Sequence, residues 1–199
     1  MTQLLLWPVV MSCLLSVLFS GCRSMTPPVT YYTFRAMADE MAPSSTDGAV
    51  SVTIGIQPVQ LPGYINRTQM VRRTGAHQLE IASLHRWADY PDRLVQQVIG
   101  DNLQVLMPHA RVVNAPWPTG LHPDISVAFQ FLELIGTTDE KILLNAVWTI
   151  TGKAGPSAQM SHRRSLTETI SGSGYGALAA AHSRILALLC QEVAATLDG

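Results

Sequence analysis

Hydrophobic and polar residues alternate along three stretches of the chain, and this period-two pattern predicts β-strands with one buried face. The stretches are residues 50–56, 125–131 and 144–150. Two β-favouring segments, 70–73 and 78–81, flank a Thr-Gly-Ala-His sequence, which is typical of a hairpin. Shorter or more polar β-favouring segments complete the set: residues 31–34, 111–113 and 164–171.

Two other segments place apolar residues every three or four positions, which predicts amphipathic helices. The first covers residues 94–106 and is bounded by Pro91, which suits a first helical position, and by Pro108. The second covers residues 178–197 and follows the break at Gly172-Ser173-Gly174. Ser173 is expected near the cap of this helix.

The order of these elements is strand, hairpin, helix, strands, helix. Clustered strands with segregated helices favour an α+β fold. We therefore expect an antiparallel or mixed sheet with the two main helices packed on one face. No internal repeat or second boundary is visible, so a single domain is expected at residues 50–199.

The N-terminal residues are typical of a bacterial lipoprotein signal. Residues 4–21 contain no charged side chain, and small residues immediately precede Cys22. The segment is interrupted by Pro8 and lies at the short limit for a membrane-spanning helix, which needs about 20 apolar residues. We interpret residues 1–21 as a removable signal and Cys22 as the lipid acceptor. The alternative is an ordinary signal or anchor in which the cysteine is incidental.

Residues 22–49 are interpreted as a lipid-anchored tether that carries the short strand at 31–34. Of the three cysteines, Cys13 leaves with the signal and Cys22 is consumed by lipid. Cys190 therefore has no partner for a disulfide and is most simply a small buried hydrophobe.

Composition argues against several classes of function. Charged residues make up 14% of the chain, against about 25% in typical proteins, and the formal net charge is −1. No basic surface for nucleic acid is indicated. The hydrophobic content of 47% favours a surface that is partly buried against partners.

No motif for catalysis, metal or cofactor is visible. None of the six histidines has the i, i+4 spacing of a helical zinc site, and no Gly-x-Ser-x-Gly elbow occurs. Residues 172–176 are glycine-rich but lack the lysine of a phosphate loop. These observations favour a non-catalytic assembly component without cofactor or metal. The alternative is a membrane-anchored envelope hydrolase whose site no motif identifies.

Three segments together resemble the ABC-type transport auxiliary lipoproteins, the PqiC (paraquat-inducible protein C) family. They are residues 60–72 with a Leu-Pro-x-Tyr-x-x-Arg core, residues 84–91 with a Trp-Ala pair, and residues 175–183. The lipid-acceptor sequence and residues 31–34 add to the resemblance, which covers nearly the whole mature chain.

The resemblance implies an accessory lipoprotein of lipid trafficking that works with MCE-domain proteins spanning the periplasm. It also implies a homo-oligomeric ring on the outer membrane that receives the MCE protein. Arg23 follows the lipid-acceptor cysteine, where Asp commonly retains lipoproteins at the inner membrane, and this favours the outer membrane.

Six residues of the resembling segments are candidates for a subunit or partner contact, since aromatic residues and arginine are enriched at interface cores. They are Leu61, Pro62, Tyr64, Arg67, Arg72 and Trp87. The second interpretation is structural: Leu61-Pro62-Gly63 forms a turn, and Trp87 fills the core beside a helix start.

Overall fold

The computed structural model describes residues 27–37, 52–152 and 159–198. The predicted signal, Cys22, most of the tether, and the first two residues of the strand expected at 50–56 lie outside this part of the chain. The elements, in chain order, are β1 Thr30–Tyr32, β2 Val52–Ile56, β3 Gln69–Gly75, β4 Gln78–Trp87, α1 Pro91–Leu106, β5 Ala110–Asn114, β6 Ile125–Thr137, β7 Lys141–Gly152, β8 Gln159–Thr169 and α2 Gly174–Leu197.

Strand β6 organises the sheet. One edge of β6 pairs with β7 in antiparallel fashion along nearly its whole length, and β7 pairs with β8. The other edge pairs in parallel with β2 near the start of β6 and with β3 near its end. Strand β5 extends the sheet beyond β2, whereas β4 and β1 extend it beyond β3. The sheet is therefore mixed. Strand β8 lies at one edge, and the opposite side divides into a branch that ends at β5 and a branch that ends at β1.

Between β2 and β3 the chain stays close to β6 and then leaves it. The amide of Gln57 donates to the carbonyl of Val127 at 2.9 Å, and the amide of Gln60 donates to that of Phe129 at 3.0 Å. The chain departs at residues 61–68 and returns as β3. This excursion is the middle of the first resembling segment, and the topology places it beside β3 and β4.

Both helices pack on one face of the sheet. Helix α1 contacts β5 and α2, and α2 also contacts β7 and β8. The stripe of α2 that faces the sheet includes Leu178, Ile185 and Leu189, all buried. In β7 the alternate residues Ile142, Leu144, Ala146, Trp148 and Ile150 are buried as well. The predicted α+β fold, with a mixed sheet and two main helices in a single domain, is confirmed.

One detail differs from the sequence expectation, and a second agrees with it. Strand β4 continues to Trp87, but its register with β3 shifts between Ile81 and Arg86, and this irregularity breaks the period-two pattern after Ile81. Ser173 stands at the N-cap of α2 but makes no side-chain capping hydrogen bond.

Within the described ranges, α2 is the helix that is long and apolar enough to cross a membrane. In its most apolar stretch, 56% of the residues are buried in the protein. The helix therefore packs as a core element of the domain.

Candidate functional site

Among the described residues, the strand nearest in sequence to Cys22 lies at the edge of the sheet. The predicted short strand at 31–34 is present as β1, which pairs in parallel with the last three residues of β4. Within this ladder Tyr32 lies opposite Trp87, and the amide of Ala88 donates to the Tyr32 carbonyl at 2.7 Å. The N-terminal segment is thus held to the domain by backbone hydrogen bonds.

After β1 the segment crosses to the helices. The Arg35 amide donates to the hydroxyl of Ser183 on α2 at 3.0 Å. The Met37 amide donates to Oδ1 of the buried Asn102 on α1 at 2.7 Å. The segment from 30 to 37 therefore contacts the sheet and both helices. We call it the anchor segment.

Three rings fix the middle of the anchor segment in the core. Phe34 is 6% exposed, and its ring centroid lies 4.4 Å from that of Trp87 and 5.9 Å from that of His182. Trp87 meets His182 edge-on at 5.4 Å. Aromatic pairs in this range contribute about 0.5–1.5 kcal/mol beyond the area that they bury. This three-ring cluster joins the anchor segment, β4 and α2.

His182 is neutral in this environment. Burial lowers the pKa of His182 to about 4, although its hydrogen bond to the Leu178 carbonyl opposes the shift. Nδ1 of His182 donates that bond at 2.8 Å, because a carbonyl oxygen only accepts. The ring thus serves as an aromatic packing group that also satisfies a helix carbonyl.

A polar ladder lies beside the three-ring cluster. The Tyr32 hydroxyl is 2.9 Å from Nδ1 of His85, and the His85 ring stacks on Tyr175 with centroids 4.1 Å apart. Tyr175 donates to Glu80 at 3.0 Å, and Arg72 donates to the other oxygen of Glu80 at 2.9 Å. The guanidinium of Arg72 also lies over the Tyr175 ring, 5.1 Å from its centroid. The ladder links β1, β4, β3 and the start of α2.

The ladder shifts the pKa values of Glu80 and Tyr175 in opposite directions. The pKa of Glu80 is lowered, first by the hydrogen bond from Tyr175 and then by that from Arg72. The pKa of Tyr175 is raised, first by burial and then by its bond to Glu80. Glu80 is therefore an ionised acceptor at neutral pH, and Tyr175 is a neutral donor.

Residues 61–68 form a turn in which Tyr64 is exposed and Arg67 is half-buried. The carbonyl of Pro62 accepts from the amides of Ile65 and Asn66, each at 3.0 Å, so the turn interpretation describes this backbone. Ile65 is buried, and Tyr64 is 36% exposed. Arg67 is half-buried, and its enclosed Nε has no hydrogen-bond partner among the described residues.

The six predicted contact residues therefore separate into two groups. Trp87 is 6% exposed and fills the core, as the structural interpretation predicts, because Phe34 and His182 cover its ring. Arg72 bonds Glu80 within the chain, Leu61 packs partly against the core, and the Pro62 carbonyl accepts two hydrogen bonds within its own turn. Tyr64 and Arg67 remain the members of the set best placed to meet a neighbour.

Sequence reasoning missed most of the residues that hold the anchor segment. Phe34 and Tyr175 lie inside segments that carried the resemblance, but their contacts join residues far apart in the chain. The pair of Arg72 and Glu80 had a usable signal, since the predicted hairpin places them opposite each other.

The described residues hold no group of three or more metal-ligating side chains. Cys190 is fully buried, and burial raises its pKa to about 12, although the neighbouring Asn102 side chain opposes the shift. A thiol in this state is a poor nucleophile, because the thiolate is the reactive form. Cys190 is a small buried core residue, as the sequence indicates.

The family model described as ABC-type transport auxiliary lipoprotein component matches residues 32–194. The chain belongs to this family. The match runs from β1 to the last turns of α2 and includes the three-ring cluster, the ladder and the 61–68 turn. Membership assigns the chain an auxiliary role in transport and a lipid-anchored place in the cell envelope.

Solved structures share this fold at low sequence identity. The crystal structure of an uncharacterized protein matches with a TM-score of 0.71 and 17% identity over 86% of this chain and 99% of the other. Protein XCC0632 from Xanthomonas campestris matches with a TM-score of 0.62 and 12% identity over 84% and 93%. A PelC dodecamer from Paraburkholderia phytofirmans matches with a TM-score of 0.42 and 13% identity over 71% and 87%, which is too distant to support an argument about assembly. No match was found among curated proteins.

The buried state of His182 predicts how stability depends on pH. Its pKa is about 4 when folded and about 6.5 when unfolded, so the unfolded chain binds more protons between these values. The free energy of unfolding should therefore fall as pH drops from 7 toward 4, by about 3 kcal/mol from this residue. His182→Phe should flatten that slope in urea unfolding measured at several pH values.

His77, exposed in the hairpin turn, provides the matched control. His77→Phe should keep the wild-type slope. A wild-type slope in His182→Phe would contradict a pKa of about 4 for His182 in the folded state.

Proposed function

We propose that this lipoprotein is a non-catalytic accessory component of an MCE-type intermembrane lipid transport system. In this proposal Cys22 carries the lipid, the protein lies on the periplasmic face of the outer membrane, and identical subunits form a ring that docks a periplasm-spanning MCE protein. The observation that carries the proposal is the anchor segment, which joins the chain nearest to Cys22 to the folded domain. The polar side chains of the ladder beside it hydrogen-bond one another.

The anchor segment limits how far the domain can move from the membrane. Cys22 precedes Thr30, the first residue of β1, by eight positions. An extended chain covers at most about 3.6 Å per residue, so the tether reaches at most about 29 Å. A domain held this close to the membrane suits a stationary receptor for a partner that crosses the periplasm.

The buried and paired polar groups support a structural role rather than a catalytic one. Glu80, Tyr175 and Arg72 bond one another, and His182 bonds a helix carbonyl. A general base needs a free acceptor that can reach a substrate proton. These groups instead stabilise the attachment of the anchor segment.

The 61–68 turn is our candidate for the subunit contact. A ring of identical subunits requires a heterologous contact, in which one patch meets a different patch on the neighbour. Tyrosine and arginine are enriched among the residues that contribute most to binding. Tyr64 is exposed and Arg67 is half-buried, so the Tyr64 ring and the terminal N–H donors of Arg67 can contact a neighbouring subunit.

The lipid assignment predicts the outcome of changing Cys22. A diacylglyceryl group with an amide-linked chain anchors far more firmly than one acyl chain, whose membrane binding is marginal. Cys22→Ala should abolish incorporation of labelled fatty acid and normal maturation. Label that still enters this variant would exclude Cys22 as the acceptor.

The assembly proposal predicts that Arg67→Glu dissociates the oligomer and leaves the monomer folded. Losing one partner of a buried charged contact costs about 2–5 kcal/mol of association free energy. Size-exclusion chromatography with light scattering reports the assembly, and circular dichroism reports the fold. Arg111→Glu is the control, because Arg111 is exposed on β5 at the other end of the sheet.

Copurification from crosslinked membranes tests the function itself. Tagged wild-type protein and Arg111→Glu should recover an MCE-domain protein, and Arg67→Glu should recover less of it. A wild-type chain that stays monomeric with the MCE protein present would contradict the assembly proposal. An Arg67→Glu chain that unfolds would show that Arg67 braces the domain internally.

A further inference from the structure

Strand β1, which follows Cys22 in the chain, pairs with the end of β4, and the two strands present different side chains on their two faces. Trp87 meets His182 of α2, so the paired residues Tyr32 and Trp87 face the helices. Side chains alternate between the faces of a strand, and therefore Tyr31 and Arg86 point to the opposite face. Arg86 also pairs with Gln69 of β3, which extends the row. We call Tyr31, Arg86 and Gln69 the outer row.

The outer row combines an exposed ring with a half-buried cation that has no ion pair among the described residues. Tyr31 is 60% exposed. Arg86 makes no side-chain hydrogen bond to another described residue, and its Nε is enclosed without a partner. A guanidinium is always charged in proteins and pairs well with phosphate through its fork of N–H donors. The row therefore combines an amphipathic ring with a cation that lacks an anion.

A second guanidinium lies close to the outer row. Arg67 precedes Gln69 by two residues, and Gln69 is next to Arg86 on the adjacent strand. Chain geometry then limits the separation of the Arg67 and Arg86 Cα atoms to about 12 Å. Nε of Arg67 also has no hydrogen-bond partner among the described residues. Both arginines of β3 already have carboxylate partners, since Arg72 pairs with Glu80 and Arg73 pairs with Glu133.

The position of the lipid anchor indicates what covers this face. The chain from Pro27 to Tyr31 is exposed, and Cys22 is nine residues before Tyr31. Acyl chains on Cys22 would bring lipid phosphates within the reach of this short tether. Tyrosine is enriched at membrane interfaces, where its ring meets the acyl boundary and its hydroxyl meets the headgroups.

We propose that the outer row rests on the phospholipid headgroup layer of the membrane that holds Cys22. The Tyr31 ring lies at the headgroup boundary, and the Arg86 guanidinium binds a lipid phosphate. This inference rests on the lipid anchor of the proposed function and is independent of the MCE partner. It gives the domain a fixed orientation, with one sheet face toward the bilayer and the helices away from it.

A fluorophore at Tyr31 tests this orientation on the full lipidated chain. Tyr31→Cys is labelled with an environment-sensitive dye and reconstituted in vesicles of phosphatidylcholine with a minority of phosphatidylglycerol. Labelling is specific, because Cys190 is buried and Cys22 is acylated. Met160→Cys is the control, since Met160 is 55% exposed on β8, an edge strand at the far side of β6.

We expect blue-shifted emission and strong quenching by brominated lipid for the label at 31, and neither for the label at 160. Equal, water-like emission at both sites in vesicle-bound protein would overturn the outer-row proposal and leave the lipid anchor intact. Protein that fails to float with the vesicles would overturn the anchor and the outer-row proposal together. Protection of the label at 31 only when envelope proteins are added would assign the face to a protein and overturn the proposal.

The charge of Arg86 is tested in the labelled Tyr31→Cys background. Arg86→Gln removes one basic residue from the protein face that contacts the anionic lipid surface. This change should lower the ratio of membrane-apposed to free conformations about fivefold. Arg86→Lys and Arg111→Gln should retain most of the quenching, and circular dichroism controls for folding. Undiminished quenching in folded Arg86→Gln would overturn the assignment of Arg86 to a lipid phosphate.

Discussion

The packing of Phe34 between Trp87 and His182 is the interaction that builds the anchor segment into the core of the domain. It places a side chain from the lipid-proximal segment among residues of β4 and α2. Without it, β1 would be a three-residue edge strand with little to hold it, since the backbone pairing with β4 is short. The cluster makes the anchor segment a part of the domain.

The pairing of β6 explains why the anchor segment, Arg67 and the outer row lie at one end of the sheet. One edge of β6 is shared by β2 and β3, so the chain must leave β6 between them, and it does so at residues 61–68. The turn then lies beside β3 and β4, which also carry the polar ladder and receive β1. The anchor segment, the half-buried Arg67 and the outer row are therefore neighbours.

Much of the fold could be predicted from the sequence because alternation and helical periodicity report which face of an element is buried. That information placed β6, β7 and both helices, but it does not say what the buried face touches. Trp87 illustrates the limit, since an aromatic residue beside a helix start suits a core or an interface equally, and only the contact with Phe34 decides. The sequence offers Arg72 as a candidate for a subunit or partner contact, yet the predicted hairpin already places Glu80 opposite it. The end of β4 could not be predicted, because the irregularity at residues 82–85 breaks the period.

Hydrogen exchange of the anchor-segment amides tests the account most directly. The amides of Arg35 and Met37 donate to Ser183 and Asn102, respectively. In the mature lipidated protein, both amides should exchange far more slowly than in an unstructured peptide of the same sequence. Truncating Phe34 to alanine should remove that protection while the amides of β6 keep theirs. Exchange at the unstructured rate in the wild-type protein would contradict the account, because the lipid would then be joined to the domain by a free tether.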